Sequence, residues 1–421
     1  MLDRTTPPPV ANFSDITIHP QQIHTLNNGI DIHIVNKGDF PLSRIDVLWD
    51  GGTLDYASEA AATVMTAAMR EGTLNLSGAE IANIVDFSGS KMNGGLSNHH
   101  ASLGIVTLNS RLENMMGLLA DIAVGADFPE NAVEAIGRRL GANRSLQFER
   151  VSFRATSLLQ SLLQGKNHSA SKIAMPLEFE SVNREICESL YDTLRRSKIH
   201  IFAGGLIGDD VVDAIDKTFG KLPHSDYSPI RIHPYEPEKP QRQHVDMPHA
   251  LQSAVAMGLP AIDRTHPDYI PLRLTVMALG GFFGSRLMTN IREEKGLTYG
   301  ISSSLLGTQE GAFMEISAQC DKKYVDTVIE ETLYEIENLS KNPPRGDELN
   351  RLKLHAWTIL ASSTENAFST LEHYITQLRV GTPTDYFRQQ LKAIADLTPD
   401  TISRMASEYL PTDRLSIVTA G

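Results

Sequence analysis

Hydrophobic positions recur in the same order in the two halves of the chain. Residues 91–108 and residues 297–319 each show the two-residue alternation that is typical of two strands joined by a turn. Each stretch is followed by apolar residues spaced three to four apart, which predicts helices over residues 110–126 and 321–342. Prolines then introduce a further predicted helix in each half.

The spacing of these copies indicates a duplicated unit. Residues 91 and 297 are 206 apart, and the prolines at 129 and 344 are 215 apart, close to half of the 421 residues. A strand-like run, Ile45–Trp49 or Ser253–Met257, precedes each copy, and a long apolar helix follows that run. The shared order and spacing favour one α+β unit occurring twice over a chance recurrence of a common pattern.

A proline-rich stretch separates the copies. Residues 221–244 contain five prolines and no helical periodicity, which is typical of a connection between domains. We therefore predict an N-terminal domain over residues 1–225, a linker over 226–241 and a C-terminal domain over 242–421.

Composition excludes several classes of protein. Apolar residues make up 41% and charged residues 21%, as in ordinary globular proteins. The net charge, 38 − 51 = −13, shows no basic surplus, so nucleic acid is not an expected partner. The acidic balance suits attraction of basic or unfolded peptides, or solubility alone. Two cysteines, Cys187 and Cys320, are too few for a disulfide framework.

Targeting signals are also missing from the sequence. No run approaches the 18 or so apolar residues of a membrane span. The N-terminal sequence MLDRTTPPPVANFSD has no apolar core after its one arginine, so no secretory signal is expected and we predict a cytoplasmic protein.

Familiar catalytic motifs are absent. The sequence has no P-loop, GxSxG, HExxH or HxxEH motif, and the glycines at 280, 281 and 284 do not form a dinucleotide-binding fingerprint. His99 and His100 are neighbours on a predicted strand, where successive side chains point to opposite faces. We expect one of them to be buried and the other exposed, with no shared metal.

The most distinctive segment is ALGGFFGSRLMTNIREEKGLTYGISSS, residues 278–304. Its pattern predicts a helix that passes through the glycines, continues over residues 285–294 and ends at Lys295-Gly296, with a strand from Leu297. Arg292 and Tyr299 flank this corner, so a guanidinium and a phenol can converge on a peptide carbonyl or an oxyanion. An arginine paired with a nearby glutamate and a half-buried tyrosine would fit the same residues.

Two parts of that segment, LGGFFGSRL and IREEKGLTY, resemble the pitrilysin/insulinase family of zinc metallopeptidases, which includes the mitochondrial processing peptidase. The resemblance extends to LNNGIDIHIV (26–35), WDGGTLDY (49–56) and MREGT (69–73). It implies an α+β fold of two homologous domains, each a mixed sheet packed by helices on one side. In this family the two domains form a clamshell around a peptide.

The departure from the family concerns its zinc site. Active members carry HxxEH shortly before the segment that corresponds to MREGT, and a later glutamate completes the site. By this alignment Thr63 and Ala67 stand at the histidine positions, Thr66 at the catalytic glutamate, and Asn143 at the third ligand. Threonine and alanine do not hold zinc in this way. We therefore expect no metal and no cofactor in this chain, and zinc only in a partner subunit.

The resemblance implies a non-catalytic subunit of a heteromeric zinc metallopeptidase. In that role Arg292 and Tyr299 would bind substrate and oxyanion in the site of an HxxEH-containing sibling that hydrolyses peptides. A second interpretation is a non-proteolytic peptide-binding or scaffold protein, possibly a homodimer. A third, an enzyme with unrecognised chemistry, has no positive feature in the sequence.

Overall fold

The computed structural model describes Thr5 and residues 16–421. The stretch on which we expect no secretory signal, residues 1–15, lies outside the described residues except for Thr5. Among the described helices, none has the length and apolar character needed to cross a membrane.

The first half of the chain builds a six-stranded mixed sheet with the order β1-β2-β6-β3-β5-β4. Only β2 and β6 pair in parallel, and the other neighbours are antiparallel. The strands are β1 (Gln22–Thr25), β2 (Asp31–Asn36), β3 (Leu42–Asp50), β4 (Lys91–Leu96), β5 (His100–Leu108) and β6 (Ile199–Gly205).

Except for Val151–Gln164, the helices of the first half cover one face of this sheet. On β3 the alternate residues Ile45, Val47 and Trp49 are fully buried in a core shared with these helices. The helices are α1 (Glu59–Ala68), α2 (Gly78–Phe87), α3 (Leu112–Gly125), α4 (Glu130–Phe148), α5 (Val151–Gln164), α6 (Pro176–Glu180), α7 (Arg184–Leu194) and α8 (Asp209–Asp216).

The second half repeats the arrangement with a five-stranded mixed sheet ordered β7-β11-β8-β10-β9. Its strands are β7 (Arg242–Val245), β8 (Ser253–Ala261), β9 (Thr298–Gly307), β10 (Ala312–Cys320) and β11 (Ser416–Ala420). Its helices are α9 (Tyr269–Gly280), α10 (Val325–Lys341), α11 (Gly346–Ser362), α12 (Ala367–Val380), α13 (Tyr386–Asp396) and α14 (Pro399–Tyr409).

The predicted α+β architecture with two mixed sheets is confirmed. Strands β5 and β10 begin at residues 100 and 312, 212 apart, and helices α5 and α12 begin at 151 and 367, 216 apart. Residues 222–241, between the last turn of the first half and β7, contain no helix or strand. The division into domains at 1–225, 226–241 and 242–421 stays a prediction.

The remaining face of each sheet is covered by a helix from the opposite half. Helix α5 packs Leu159, Leu162 and Leu163 against β8, β10 and β11 of the second sheet. Helix α12 packs Leu371 and Ile375 against β2, β3 and β6 of the first sheet. The two halves are therefore joined by exchanged helices as well as by the linker.

A glycine makes room for each exchanged helix. A Cβ on Gly204 of β6 would lie 3.1 Å from a methyl carbon of Leu371, and a Cβ on Gly258 of β8 would lie 2.9 Å from a methyl carbon of Leu163. Both separations are too short for a relaxed carbon contact. Glycine thus lets the leucines of α12 and α5 approach the backbone of the opposite sheet.

Polar groups buried at the junction also tie the halves together. His99 Nδ1 contacts both carboxylate oxygens of Asp55 at 3.0 and 3.1 Å, and its Nε2 bonds to Glu310 of the second half. The linker joins this cluster, because Arg231 N donates to Asp55 at 3.2 Å and Tyr235 N donates to the Glu310 carbonyl at 3.0 Å. Burial lowers the pKa of His99, but the two carboxylates outweigh it and raise that pKa to about 9.

Two expectations from the sequence are wrong. His99 and His100 are both buried, because His99 lies in the turn before β5 rather than on the strand and turns toward Asp55. The helix expected to run through the glycines stops at Gly280 and resumes after Ser285. It stops there because Gly280 packs against β9, where a Cβ would lie 2.7 Å from Ser303 N.

Shortening a side chain of α12 at its contact with the first sheet tests the helix exchange. We expect Leu371→Ala to lower the free energy of unfolding by about 2–5 kcal/mol, because the side chain is fully buried and leaves a cavity. Thr376→Ala, an exposed change on the same helix, should stay within about 0.5 kcal/mol. Urea unfolding of both variants measures this, and equal losses would contradict the packing.

Because His99 is buried between two carboxylates, we expect the free energy of unfolding to fall in alkaline solution. Because the folded state raises the pKa of His99 from 6.5 to about 9, its contribution is complete below pH 6.5 and is lost as the pH rises through about 9. We expect His99→Gln to be less stable than the wild type at pH 7 and to lose less stability between pH 7 and 10. The exposed control His249→Gln should follow the wild-type curve. Parallel curves for wild type and His99→Gln would refute the charged interaction.

Candidate functional site

The positions that correspond to the zinc motif lie on α1 and α4, which pack against each other. Thr63 Oγ1 donates to the Glu59 carbonyl at 2.7 Å, and the buried Thr66 Oγ1 donates to the Ala62 carbonyl at 2.9 Å. Both hydroxyls are thus used by their own helix. Ala67 has no side-chain donor atom, and Asn143 on α4 is exposed.

An ion pair occupies the neighbouring corner. Arg144 Nη2 donates to Glu59 Oε1 at 2.8 Å, and the backbone N–H of Ala174 donates to Glu59 Oε2 at 2.8 Å. Arg144 Nη1 donates to the Ala174 carbonyl at 2.8 Å, and its guanidinium lies 5.1 Å from the Phe179 ring centroid. Glu59, one helical turn before Thr63, is therefore bound to arginine and backbone.

These residues do not fit a zinc ion. Zinc in proteins is held by about three or four converging Cys, His or carboxylate ligands. Within Thr5 and residues 16–421, no group of three or more such side chains is arranged to hold a metal. The neighbouring carboxylate of Glu59 is already bound by Arg144 and by the Ala174 N–H.

Tyr299 lies at the beginning of β9, an edge strand of the second sheet, and Arg292 lies in the helical turn just before that strand. Arg292 belongs to a wide helical turn, Met288–Glu294, which is followed by Gly296 in the left-handed conformation with φ 62°. Tyr299 is the second residue of β9 and is 90% exposed. The Arg292 guanidinium lies 4.8 Å from the ring centroid of Phe283. In the described part of the chain it has no carboxylate within 4 Å.

The helical turn that carries Arg292 is fixed by its neighbours. The buried side chain of Asn290 donates from Nδ2 to Glu335 at 2.7 Å and to Glu331 at 3.1 Å on α10. Lys295 forms an ion pair with Glu331, and this hydrogen bond holds the pKa of Glu331 below its usual range. The backbone below Arg292 is thus anchored, while the guanidinium keeps its donors available.

A cavity of about 510 Å³ opens between the two halves. The Glu59–Arg144 pair lies on its wall in the first half, and Arg264 and residues 305–308 lie on its wall in the second. Arg292 and Tyr299 do not line it. Thr63, Thr66, Ala67 and Asn143 do not line it either, so the cavity is bordered by the Glu59–Arg144 pair rather than by the motif positions themselves.

Two features of the site were not predicted. The Glu59–Arg144 pair joins residues 85 apart, and in the Asp55–His99–Glu310 cluster His99 is 44 residues from Asp55 and 211 from Glu310. No local spacing signals either contact. The expectation that one of His99 and His100 is buried was the only sign of the cluster in the sequence.

Comparison with known proteins supports the family resemblance that the sequence motifs indicate. The family model described as the peptidase M16 inactive domain matches residues 181–354, a stretch that includes Arg292 and Tyr299. An uncharacterized zinc protease of Streptomyces coelicolor is 25% identical over 167 residues, 38% of this chain and 35% of that protein. The uncharacterized zinc protease YmxG of Bacillus subtilis is 22% identical over 243 residues, 55% of this chain and 57% of that protein. The matches thus cover less than two thirds of these relatives.

A solved structure shows the same fold along nearly the whole chain. The peptidase M16 inactive domain from Pseudomonas fluorescens superposes with a TM-score of 0.85 at 20% identity, covering 95% of this chain and 97% of that one. At this identity the likeness establishes the fold alone. Together with the family match, it confirms that the chain resembles the pitrilysin/insulinase (M16) family, and the matched family model is that of an inactive domain of this family.

Proposed function

We propose that the chain is a non-catalytic subunit of a heteromeric zinc metallopeptidase. The observation that supports this most directly is the state of Arg292 and Tyr299. The tyrosine is almost fully exposed, and the arginine has no acidic partner among the described residues. An Arg–Tyr pair serving only the structure of this chain would be expected to be buried or neutralised.

The position of the pair favours action on a substrate bound by another chain. Among the described strands, β9 lies at one edge of the second sheet, so a partner could approach the pair there. The motif positions on α1 of the same chain carry no zinc ligand. Chemistry at Arg292 and Tyr299 therefore requires a hydrolytic centre supplied from outside.

The partner in this proposal is a sibling chain with an intact HxxEH motif, which brings the zinc ion. Arg292 and Tyr299 would donate N–H and O–H groups to the substrate carbonyl, and these donors would stabilise the negative charge that develops on its oxygen. Such donors contribute about 3–4 kcal/mol each when they are aimed at an oxyanion. The second candidate, a non-proteolytic peptide-binding or scaffold protein, requires no contribution of these donors to hydrolysis.

Substitutions at the pair test the proposed role. We expect Arg292→Ala and Tyr299→Phe each to lower kcat/KM for peptide hydrolysis by the mixed complex at least tenfold, because each removes a donor to the oxyanion. The rates are measured with a quenched fluorescent peptide and the HxxEH sibling.

Matched controls separate this role from assembly. Arg351→Ala and Tyr334→Phe change exposed residues of the same types on α11 and α10, and they should keep the wild-type rate. All four variants should copurify with the sibling to the same extent. Wild-type rates for both Arg292→Ala and Tyr299→Phe would exclude the proposed role.

Restoring ligands tests the alignment of the zinc positions. Wild-type protein should contain well under one zinc per chain after dialysis against micromolar zinc. The triple variant Thr63→His, Ala67→His, Asn143→Glu should take up about one equivalent, because residues 63 and 67 share a helix face and α4 packs against α1. Elemental analysis measures both, and one zinc per wild-type chain would overturn the alignment.

A further inference from the structure

The cavity between the halves has a charge opposite to that of the whole chain. Four ionised side chains line it: the cations Arg144, Lys172 and Arg264, and the carboxylate Glu59. Their sum, 3 − 1 = +2, contrasts with the net charge of −13 for the chain. The whole-chain balance therefore does not describe the surface that a ligand in this cavity would meet.

Within the cavity, two of the cations are not neutralised. Glu59 is bound to Arg144, so that pair carries no net charge. In the described part of the chain, neither Arg264 nor Lys172 has a carboxylate within 4 Å. Two carboxylates behind the wall, Asp55 and Glu310, are partly balanced by the His99 between them and do not line the cavity.

Arg264 is held in place with part of its hydrogen-bonding capacity unused. Its Nε and Nη2 donate to the Gly307 carbonyl at 3.0 and 2.8 Å, and its guanidinium lies 5.6 Å from the Tyr269 ring centroid. A guanidinium has five N–H donors in a rigid fork. Its Nη1 has no acceptor among the described residues, so it remains free to bind a carboxylate.

The other walls of the cavity suit a peptide. Phe153 of α5, Leu305 and Leu306 of β9, and Phe313 of β10 supply apolar surface. Asn98 and Ser157 add polar groups able to bond to a peptide backbone. A volume of about 510 Å³ lies in the range of pockets that bind small ligands or a few residues of a chain.

We propose that this cavity binds the carboxylate of an acidic peptide between Arg264 and Lys172, with apolar neighbours of that residue against the phenylalanine and leucine walls. The proposal rests on the proposed function only in taking a peptide as the ligand. It adds a preference for acidic over basic sequences, and it places the recognition inside this chain, away from the Arg–Tyr pair.

Fluorescence anisotropy with the purified chain tests this preference. The probe is a labelled ten-residue peptide with two central aspartates flanked by leucines, compared with the same peptide carrying asparagines. We expect the aspartate peptide to bind at least tenfold more tightly in 20 mM salt, and this ratio to fall in 500 mM salt because the charges are screened. Equal affinities for the two peptides would overturn the proposal.

Variants locate the binding. Lys172→Gln should reduce the aspartate preference severalfold, and Arg264→Gln should abolish most of it, while both keep the affinity for the asparagine peptide. Lys172 is exposed, so its variant should fold even if Arg264→Gln does not. The control Lys221→Gln, at an exposed lysine outside the cavity, should leave the preference unchanged. A preference unaffected by Lys172→Gln and Arg264→Gln would contradict the site.

Further measurements identify the source of the carboxylate and separate the acidic-peptide proposal from the proposed subunit function. Loss of binding on C-terminal amidation, with no effect of asparagine, would overturn side-chain recognition. Aspartate-selective binding without activation of the sibling would support this inference and contradict the proposed function. Activation without any aspartate preference would do the reverse.

Discussion

Each sheet of this protein depends on a helix from the opposite half of the chain. Helix α5 covers the second sheet and α12 covers the first, with Leu163 and Leu371 set over glycines of those sheets. Without these helices, faces rich in Val, Leu, Phe and Ala would lie in water, at a cost of about 25 cal/mol per Å² of apolar surface. The halves are therefore held in one relative position, and the buried Asp55–His99–Glu310 cluster reinforces it.

This constraint determines where chemistry is possible. The first half presents a helix whose motif positions are occupied by threonine and alanine, next to a closed Glu59–Arg144 ion pair. The second half presents Arg292 and Tyr299 at an edge of its sheet, away from the cavity between the halves. Among the described residues, neither surface has a group of side chains arranged to hold a metal. Our proposal is a divided labour, in which this chain would supply donors and a peptide-binding wall to a zinc-bearing partner.

Much of the fold was predictable because its signals are local. The alternation over residues 91–108 and 297–319 and the helical periods after them predicted strands β4, β5, β9 and β10 and helices α3 and α10. The helix exchange was not predictable, since an amphipathic pattern shows that a face is buried but not which sheet buries it. The Glu59–Arg144 contact was not predictable for a similar reason, because local patterns do not show which distant residues meet. Motif spacing predicted Arg292 and Tyr299 as site residues, which stays a prediction, and the three-dimensional structure adds that Tyr299 is exposed.

The most direct test of divided labour is a titration of the HxxEH sibling with this chain. The initial rate of peptide hydrolysis is measured at fixed sibling concentration while the chain is added from zero to a fivefold excess. If the labour is divided in this way, either protein alone should hydrolyse little peptide. The rate should then rise linearly with added chain and reach a plateau at one chain per sibling. A full rate from the sibling alone that no added amount of this chain increases would contradict it.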